Sequence, residues 1–279
     1  MAESKQAIKN RIRSINTTKK ITSAMQLISI GKLRHQRDLF DDNKNYALSL
    51  KDTVFEILSN THDVENRFLL AREDTHPLTI VFLSDLGLCG GYNTNMSRYI
   101  METVEKKGSL VIIGSRGRGL LLDNGYQIDR DIFSSDTMSY SDLFKLATRI
   151  IDDYISEKIT SINIGYTKYI NSMNFEPTIV KLLPVGAVDK TKTMTKEIIY
   201  EPDANTILDE LIPLYIKSLL YSYWLETTTS EHSARRLAME LATDNAEELI
   251  DDLTLKYNKA RQAAITQEIN EIVMTSDAL

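Results

Sequence analysis

Two long stretches, one near each end of the chain, contain almost none of the residues that break helices. Residues 3–58 hold no proline and a single glycine, Gly31, and from about residue 204 only Pro213 interrupts a helical pattern. Proline and glycine cost about 3 and about 1 kcal/mol inside a helix, so long helices avoid both. The sequence therefore predicts a helix of about 56 residues in the first stretch and a second helix over residues 206–274.

Apolar residues recur mostly at steps of three, four or seven and form one stripe along each predicted helix. The first stripe comprises Ile8, Ile12, Ile15, Met25, Ile28, Leu39, Ala47, Leu50, Val54 and Ile57. The second comprises Ala238, Leu241, Ala242, Asn245, Leu249, Leu253, Tyr257, Ala260 and Ala264. Neither helix can bury its stripe alone, so we expect the two helices to pair as an antiparallel coiled coil.

Strand and helix patterns alternate between these helices. The apolar runs PLTIVFLSD and SLVII and the segment YQIDRDIF are typical of strands, and SINIGYTKYINSMNFEPTIVKLLP indicates a hairpin or two strands. A helix is predicted over SDLFKLATRIIDDYISEKI, with Ser141 as its cap. The predicted fold class is α/β: a coiled coil of the terminal helices (1–60 and 204–279) and a central Rossmann-like α/β domain (61–203) with a largely parallel sheet.

Composition excludes several classes of protein. A net charge of −6 argues against a general nucleic-acid binder, and the single cysteine, Cys89, excludes an internal disulfide or a Cys-based zinc cluster. No apolar run approaches the ~18 residues of a membrane-spanning helix. Residues 1–37 hold nine Lys or Arg and one acid, Glu3. Such a block forms a solvated helix face or meets an acidic partner.

The glycine-rich motifs lack the features that bind nucleotides. SDLGLCGGYN (84–93) follows a predicted strand but has no Gly-Lys-Ser/Thr ending, and GSRGRG (114–119) lacks the dinucleotide-binding spacing. Four scattered histidines give no metal-ligand spacing. Tight structural turns are the favoured interpretation, and no catalytic, cofactor or metal site is predicted. The alternative, a nucleotide-binding enzyme with a coiled-coil arm, requires the 84–93 turn to bind phosphate.

Three segments carry a resemblance to a known family: KNRIRSINTTKKITSAMQLISIGKL (9–33), FLSDLGLCGGYN (82–93) and SEHSARRLAMELATDNAEELIDDLTLKYNKARQAAITQEINEIV (230–273). Together with IIYEPD (198–203), they resemble the γ subunit of bacterial F-type ATP synthase. The resemblance implies a non-catalytic rotor shaft, which couples ion-driven rotation of a membrane c-ring to ATP synthesis or hydrolysis. The implied partners are three α and three β subunits, ε and the c-ring. It also implies a peripheral position at the cytoplasmic face of the cell membrane, with no nucleic acid and no cofactor.

The resemblance also assigns contact residues. Those matching positions that touch the catch loops and acidic lever of β are Lys19, Lys20, Met25, Arg235, Arg261, Gln262 and Thr266. Tyr200 and Glu201 match the foot that rests on the c-ring. The chain departs from the family pattern at Leu86, at Arg236 and over Met274–Ser276, where the family usually has Arg or Lys, Met, and small residues, respectively.

Overall fold

The computed structural model describes residues 5–61, 66–70, 72–129, 134–135, 138–186 and 200–277. The chain divides into two compact units, which we treat separately. The helix unit comprises residues 1–30 and 235–279, and the sheet unit comprises residues 31–234. This division cuts both long helices, so the three-part division expected from the sequence remains a prediction.

Ten elements follow one another along the described chain. In order they are α1 (Lys5–Asn60), β1 (Pro77–Phe82), α2 (Tyr92–Thr103), β2 (Ser109–Ile113), α3 (Arg118–Asp123), β3 (Gln127–Ile128), α4 (Tyr140–Ile155), β4 (Ser161–Tyr169), β5 (Phe175–Leu183) and α5 (Ala204–Asp277). Helix α1 has 56 residues and α5 has 74, and α5 continues through Pro213. The two long helices expected from the scarcity of Pro and Gly are confirmed.

In the helix unit, α1 and α5 run antiparallel. The hydroxyls of Thr22 and Thr243 lie 2.8 Å apart, and Lys19 Nζ lies 2.8 Å from Glu247 Oε1. Residue numbers on α1 therefore fall as the numbers of their partners on α5 rise. From residue 243, buried and half-buried positions of α5 recur at alternating steps of three and four. They are Thr243, Ala246, Ile250, Leu253, Tyr257, Ala260 and Ala264. This alternation is the heptad pattern of a coiled coil.

The seam predicted for α5 is wrong at three positions. Leu241 and Leu249 are 62% and 50% exposed, and Asn245 is also exposed. Over this stretch the predicted seam falls one residue before the observed one, which uses Thr243, Ala246 and Ile250. On α1 the predicted Ile28 is likewise exposed, while Thr22 and Ser29 are buried. Polar residues on a seam fix its register, and the Thr22–Thr243 contact does so here.

In the sheet unit, α1 and α5 again lie side by side. Asn43 Nδ2 donates to Ser222 Oγ at 2.6 Å, and Thr228 Oγ1 donates to Gln36 Oε1 at 3.2 Å. The same antiparallel direction therefore holds within this unit. The buried apolar residues Val54 and Ile57 of α1 and Leu208 and Ile212 of α5 belong to one core cluster with the sheet.

The sheet has five strands in the order β3-β2-β1-β4-β5 within the described chain. The pairs β1·β2, β1·β4 and β2·β3 are parallel, and β4·β5 is an antiparallel hairpin. All six residues of β1 are buried, as expected for a central strand covered on both faces. The prediction of a largely parallel α/β sheet is confirmed. The strand expected over YQIDRDIF has only Gln127–Ile128 within the described residues.

Helix α4 begins two residues earlier than the sequence suggested. Ser139, rather than the predicted Ser141, is the cap: its Oγ accepts from Asp142 N–H, and Asp142 Oδ2 accepts from Ser139 N–H. This reciprocal pair is a capping box, which satisfies two backbone donors at the start of the helix. Tyr140 is therefore the first helical residue.

Candidate functional site

The N-terminal contact residues lie in the helix unit on α1. Lys19 is half-buried and its ammonium group pairs with Glu247 of α5, whereas Lys20, one residue on, is exposed. Met25 is half-buried, and its carbonyl accepts from Ser29 Oγ at 2.8 Å. Lys19 is therefore engaged within the chain, and Lys20 presents its charge outward.

The predicted catch-loop residues lie near the end of α5. Arg261, Gln262 and Thr266 are all exposed, and the Thr266 hydroxyl donates to the Gln262 carbonyl at 3.0 Å. Continuing the observed register places Lys5, the first described residue of α1, opposite the stretch near Ala260. Most described side chains of α5 beyond this point are exposed.

Arg235 occupies a different environment from the other predicted contacts. It is 3% exposed, so little of its side chain is accessible in the chain by itself. The next residue, Arg236, is half-buried and forms an ion pair with Glu240 at 2.7 Å, one turn along α5. The positive charge of Arg236 is thus neutralised by Glu240 of the same helix.

The two predicted foot residues precede α5 in the sheet unit. The Tyr200 ring packs against the main core cluster, while Glu201 is exposed. The Tyr200 hydroxyl is buried and has no hydrogen-bond partner among the described atoms. The structure therefore presents Glu201 to the surroundings and uses Tyr200 mainly as an apolar anchor.

The glycine-rich turn after β1 is closed by its own polar groups. Ser84 N–H donates to Asn93 Oδ1 at 2.9 Å, Asn93 Nδ2 donates to Ser84 Oγ at 2.7 Å, and Ser84 Oγ donates to the Leu86 carbonyl at 2.7 Å. The Asp85 carboxylate accepts from Ser115 N–H at 2.8 Å. Cys89 is buried in this turn. These hydrogen bonds hold the turn in one conformation and use its polar groups within the chain.

Helix α5 covers the same end of the sheet. In open α/β sheets, ligands bind outside the carboxyl ends of the strands where the strand order reverses, here between β1 and β4. Ala234 of α5 packs with Cys89 and Tyr92 in a buried cluster, and the Tyr92 hydroxyl donates to the Thr227 carbonyl at 3.2 Å. The chain's own helix therefore occupies the position of a ligand.

Glu226 is a partly buried acid on this part of α5. Its Oε1 accepts from Tyr169 N–H at 3.1 Å. Burial raises the pKa of its carboxyl above the usual value, while the Tyr169 hydrogen bond, Lys168 and Lys44 act in the opposite direction. Burial also raises the pKa of the neighbouring Tyr166 and Tyr223 hydroxyls.

We expect Glu226→Gln to stabilise the sheet unit at pH 8 and to give little gain near pH 4. Glutamine keeps an oxygen acceptor for Tyr169 and removes the charge. Folding raises the pKa of Glu226, so its ionised form destabilises the folded state. This destabilisation is absent below the pKa of the unfolded state and develops as pH rises through the pKa of the folded state. Denaturant unfolding followed by Trp224 fluorescence at several pH values measures the difference. A gain that is largest at low pH would contradict the assignment.

The part of the chain that the structure describes contains no group of three or more His, Cys, Asp or Glu placed to hold a metal ion. Within those same residues, no helix is both long enough and apolar enough to cross a membrane.

Sequence reasoning missed the buried hydroxyl groups on α5. Thr227, Thr229, Ser230 and Ser233 are at most 2% exposed. The signal was present in the run TTTSEHS (227–233), since β-branched and hydroxyl residues are weak helix formers and a cluster of them inside a long helix needs a reason. The partners of Thr227 and Ser230 on β4, however, lie some sixty residues away in sequence.

Comparison with known proteins agrees with this mixed α/β architecture with paired long helices. The sequence model of the ATP synthase family matches residues 4–279. The ATP synthase gamma chain of Alkaliphilus metalliredigens is 38% identical over 283 residues, covering 98% of each chain. The sodium-ion-specific ATP synthase gamma chain of Acetobacterium woodii is 35% identical over 301 residues, covering 100% of each chain. The chain belongs to the ATP synthase gamma-chain family.

Solved structures share the fold. The rotor of the Euglena gracilis mitochondrial ATP synthase gives a TM-score of 0.67 at 16% identity, over 94% of this chain and 98% of that one. The central stalk and c-ring structure from Tetrahymena thermophila gives a TM-score of 0.61 at 18% identity, over 80% and 99% of the two chains. At these identities the likeness concerns the fold alone.

Proposed function

We propose that the chain is the central rotor shaft of an F-type ATP synthase and performs no catalysis itself. It couples ion-driven rotation of the membrane c-ring to ATP synthesis or hydrolysis at sites between the α and β subunits. The observation that carries this proposal is the exposure of many large apolar side chains on the paired helices of the helix unit. Membership of the gamma-chain family supports the choice of partners.

The exposed apolar residues of the helix unit lie on both helices. They are Ile21, Leu27, Ile28, Ile30, Leu241, Leu249, Leu255, Ile265, Ile269, Ile272, Val273 and Met274. Extensive exposed apolar surface marks a protein–protein interface in soluble proteins. We assign these residues to a collar formed by α and β. An apolar contact has no directional bonds, so it lets the shaft turn inside the collar without sticking.

Polar and basic residues on the two helices are assigned to two further contacts of the shaft, with the acidic lever and the catch loops of β. Exposed basic residues on α1 include Lys9, Arg13 and Lys20, which suit the acidic lever of β beside Met25. Arg261, Gln262 and Thr266 are assigned to the catch loops, with Arg235 as a lesser contributor because it is buried in the chain alone. Surface ion pairs of this kind contribute about 0–1 kcal/mol each and act mainly on register and rate.

The sheet unit is assigned to the partners at the membrane side. Glu201 is exposed and Tyr200 anchors it to the core, which suits a foot on the c-ring. The ε subunit is the further partner of this unit. The protein is thereby held at the cytoplasmic face of the cell membrane through the complex.

The alternative function, a nucleotide-binding enzyme, has little support. It needs the 84–93 turn to receive phosphate, but Ser84 and Asn93 bond to each other there and Tyr92 bonds to α5. Equilibrium dialysis of the full chain with ATP and Mg²⁺ separates the two functions. Saturable micromolar binding would favour the enzyme.

The rotor assignment is tested by co-expressing the chain with α and β subunits and following single-molecule rotation. A bead is attached through Met173→Cys, which lies in the turn between β4 and β5 and is 73% exposed, while Cys89 is buried. We expect a stable complex and ATP-dependent, one-directional rotation of the bead. A complex that hydrolyses ATP while the bead stays fixed would contradict the proposal.

Met25→Lys is expected to lower the number of ions pumped per ATP hydrolysed. The substitution places a further cation on α1 near Lys20, at the proposed acidic lever of β, where a new ion pair would hold the shaft in one orientation. Met25→Leu, which nearly conserves volume, is the control and is expected to pump as the parent does. Equal pumping ratios in the Lys and Leu variants would place Met25 away from the lever.

A further inference from the structure

Strand β4 extends past the end of its parallel neighbour β1. The last paired residues of the two strands are Val81 and Gly165, whereas β4 continues to Tyr169. Thr167 and Tyr169 lie opposite Pro177 and Phe175 of the antiparallel β5 on the other side. Among the described residues, the β1-facing edge of this last part of β4 thus has no strand beside it, and unpaired edge groups are costly when buried.

Side chains of α5 take the place of the missing strand. Thr227 Oγ1 accepts from Thr167 N–H at 3.1 Å, and Ser230 Oγ donates to the Thr167 carbonyl at 2.9 Å. Glu226 Oε1 accepts from Tyr169 N–H at 3.1 Å. Both backbone groups of Thr167 therefore bond to the helix, as expected for a residue in a non-hydrogen-bonded antiparallel pair with β5.

These contacts are buried. Thr167 and Thr227 are each 2% exposed and Ser230 is fully buried. Water cannot easily reach a backbone group that loses its partner there, so breaking one of these hydrogen bonds would leave a buried polar group unsatisfied at a considerable cost in free energy. The apolar contacts that also hold α5 in the core cluster, such as those of Ile216 and Leu220, are non-directional and tolerate small shifts. Hydrogen bonds require a defined distance and angle, so they fix the position of α5 along and around its axis.

We propose that Glu226, Thr227 and Ser230 form a joint, here called the α5 joint, that sets the register of α5 on the sheet and makes the α/β domain turn with this helix. The proposal rests on the rotor function for its mechanical consequence. Its structural part, the pinning of β4 by α5, stands independently of that function. The three residues are thus positioning residues for rotation.

The test compares Thr227→Val with two matched variants. Valine keeps the shape of threonine and removes the acceptor for Thr167 N–H. Thr227→Ser keeps the hydroxyl, and Thr229→Val removes a hydroxyl that is equally buried but donates to Leu225 of its own helix at 2.8 Å. In the full chain, we expect the Thr167 amide to exchange with deuterium roughly 10- to 100-fold faster in Thr227→Val, and near the parent rate in the other two.

The mechanical readout uses the complex with α and β and a bead on Met173→Cys. We expect angular fluctuations of the bead at ATP-waiting pauses to broaden in Thr227→Val and to remain narrow in Thr227→Ser and Thr229→Val. If the Thr167 amide exchanges at the parent rate in Thr227→Val, the α5 joint does not hold β4 and the proposal is overturned. If exchange is faster but the angular fluctuations of the bead are unchanged, the joint does not set the register of α5 on the sheet. A parent complex that fails to rotate would refute the rotor function and leave the exchange result valid.

Discussion

A chain carrying Leu241→Gln and Leu249→Gln is expected to fold as the parent does and to lose most of its ability to assemble with α and β subunits. Both leucines are at least half exposed, and glutamine is a good helix former, so the free energy of unfolding should change by less than about 0.5 kcal/mol. Burying a leucine against a partner contributes about 1.5–3 kcal/mol. Losing two should weaken assembly by roughly 100-fold or more.

The contrasting variant is Leu253→Ala, at a seam position that is 5% exposed. It should lower the stability of the helix unit itself by about 2–5 kcal/mol, visible as earlier loss of helical circular dichroism on heating. Assembly is measured by titrating labelled chain with α and β. If the double glutamine variant assembles with parental affinity, Leu241 and Leu249 face water in the complex, and the collar assignment fails at those positions.

Gly114→Ala is expected to destabilise the sheet unit by about 3–5 kcal/mol. Gly114 follows β2 with a φ of +103°, and an added Cβ would lie 2.2 Å from the Leu83 carbonyl oxygen. That oxygen belongs to the backbone just after β1, so it cannot swing aside as a side chain would. The substitution therefore forces apart the ends of two central strands.

Gly119→Ala is the matched control in the same glycine-rich segment. Gly119 lies in α3 and a Cβ there meets no described atom within 4 Å, so alanine should leave stability unchanged or raise it by about 0.5–1 kcal/mol. Trp224, the only tryptophan in the sequence, packs against the core cluster and reports unfolding of the sheet unit. Equal midpoints for the two variants in a denaturant titration would show that the backbone at Gly114 can relax.

Much of the fold followed from local patterns. The scarcity of Pro and Gly indicated the lengths of α1 and α5, since helix-breaking residues act on the backbone wherever they stand. The run at β1 and the alternation of strands and helices indicated a mostly parallel sheet. The cap of α4 was harder to choose, because Ser139 and Ser141 are both good caps and only Ser139 has Asp142 three residues on.

The candidate site was predictable mainly through family resemblance. The residues themselves gave no reason to single out Arg261 or Gln262, which are exposed polar residues among many. Nothing in the sequence indicated that Arg235 is buried or that Tyr200 packs against the core cluster. Their contacts with other subunits remain predictions.

The sequence by itself determined where the long helices and the central strands form, because helix propensity and apolar periodicity are properties of neighbouring residues. The apolar pattern also indicated most of the buried face of each helix, but only the tertiary structure decided its exact positions. Leu241 is exposed while Thr243 lies on the seam, since the heptad geometry of two paired helices outranks the apolarity of any one side chain. It also decided that Thr227 and Ser230 complete the edge of β4, because hydrogen-bond partners some sixty residues apart meet only in the folded chain.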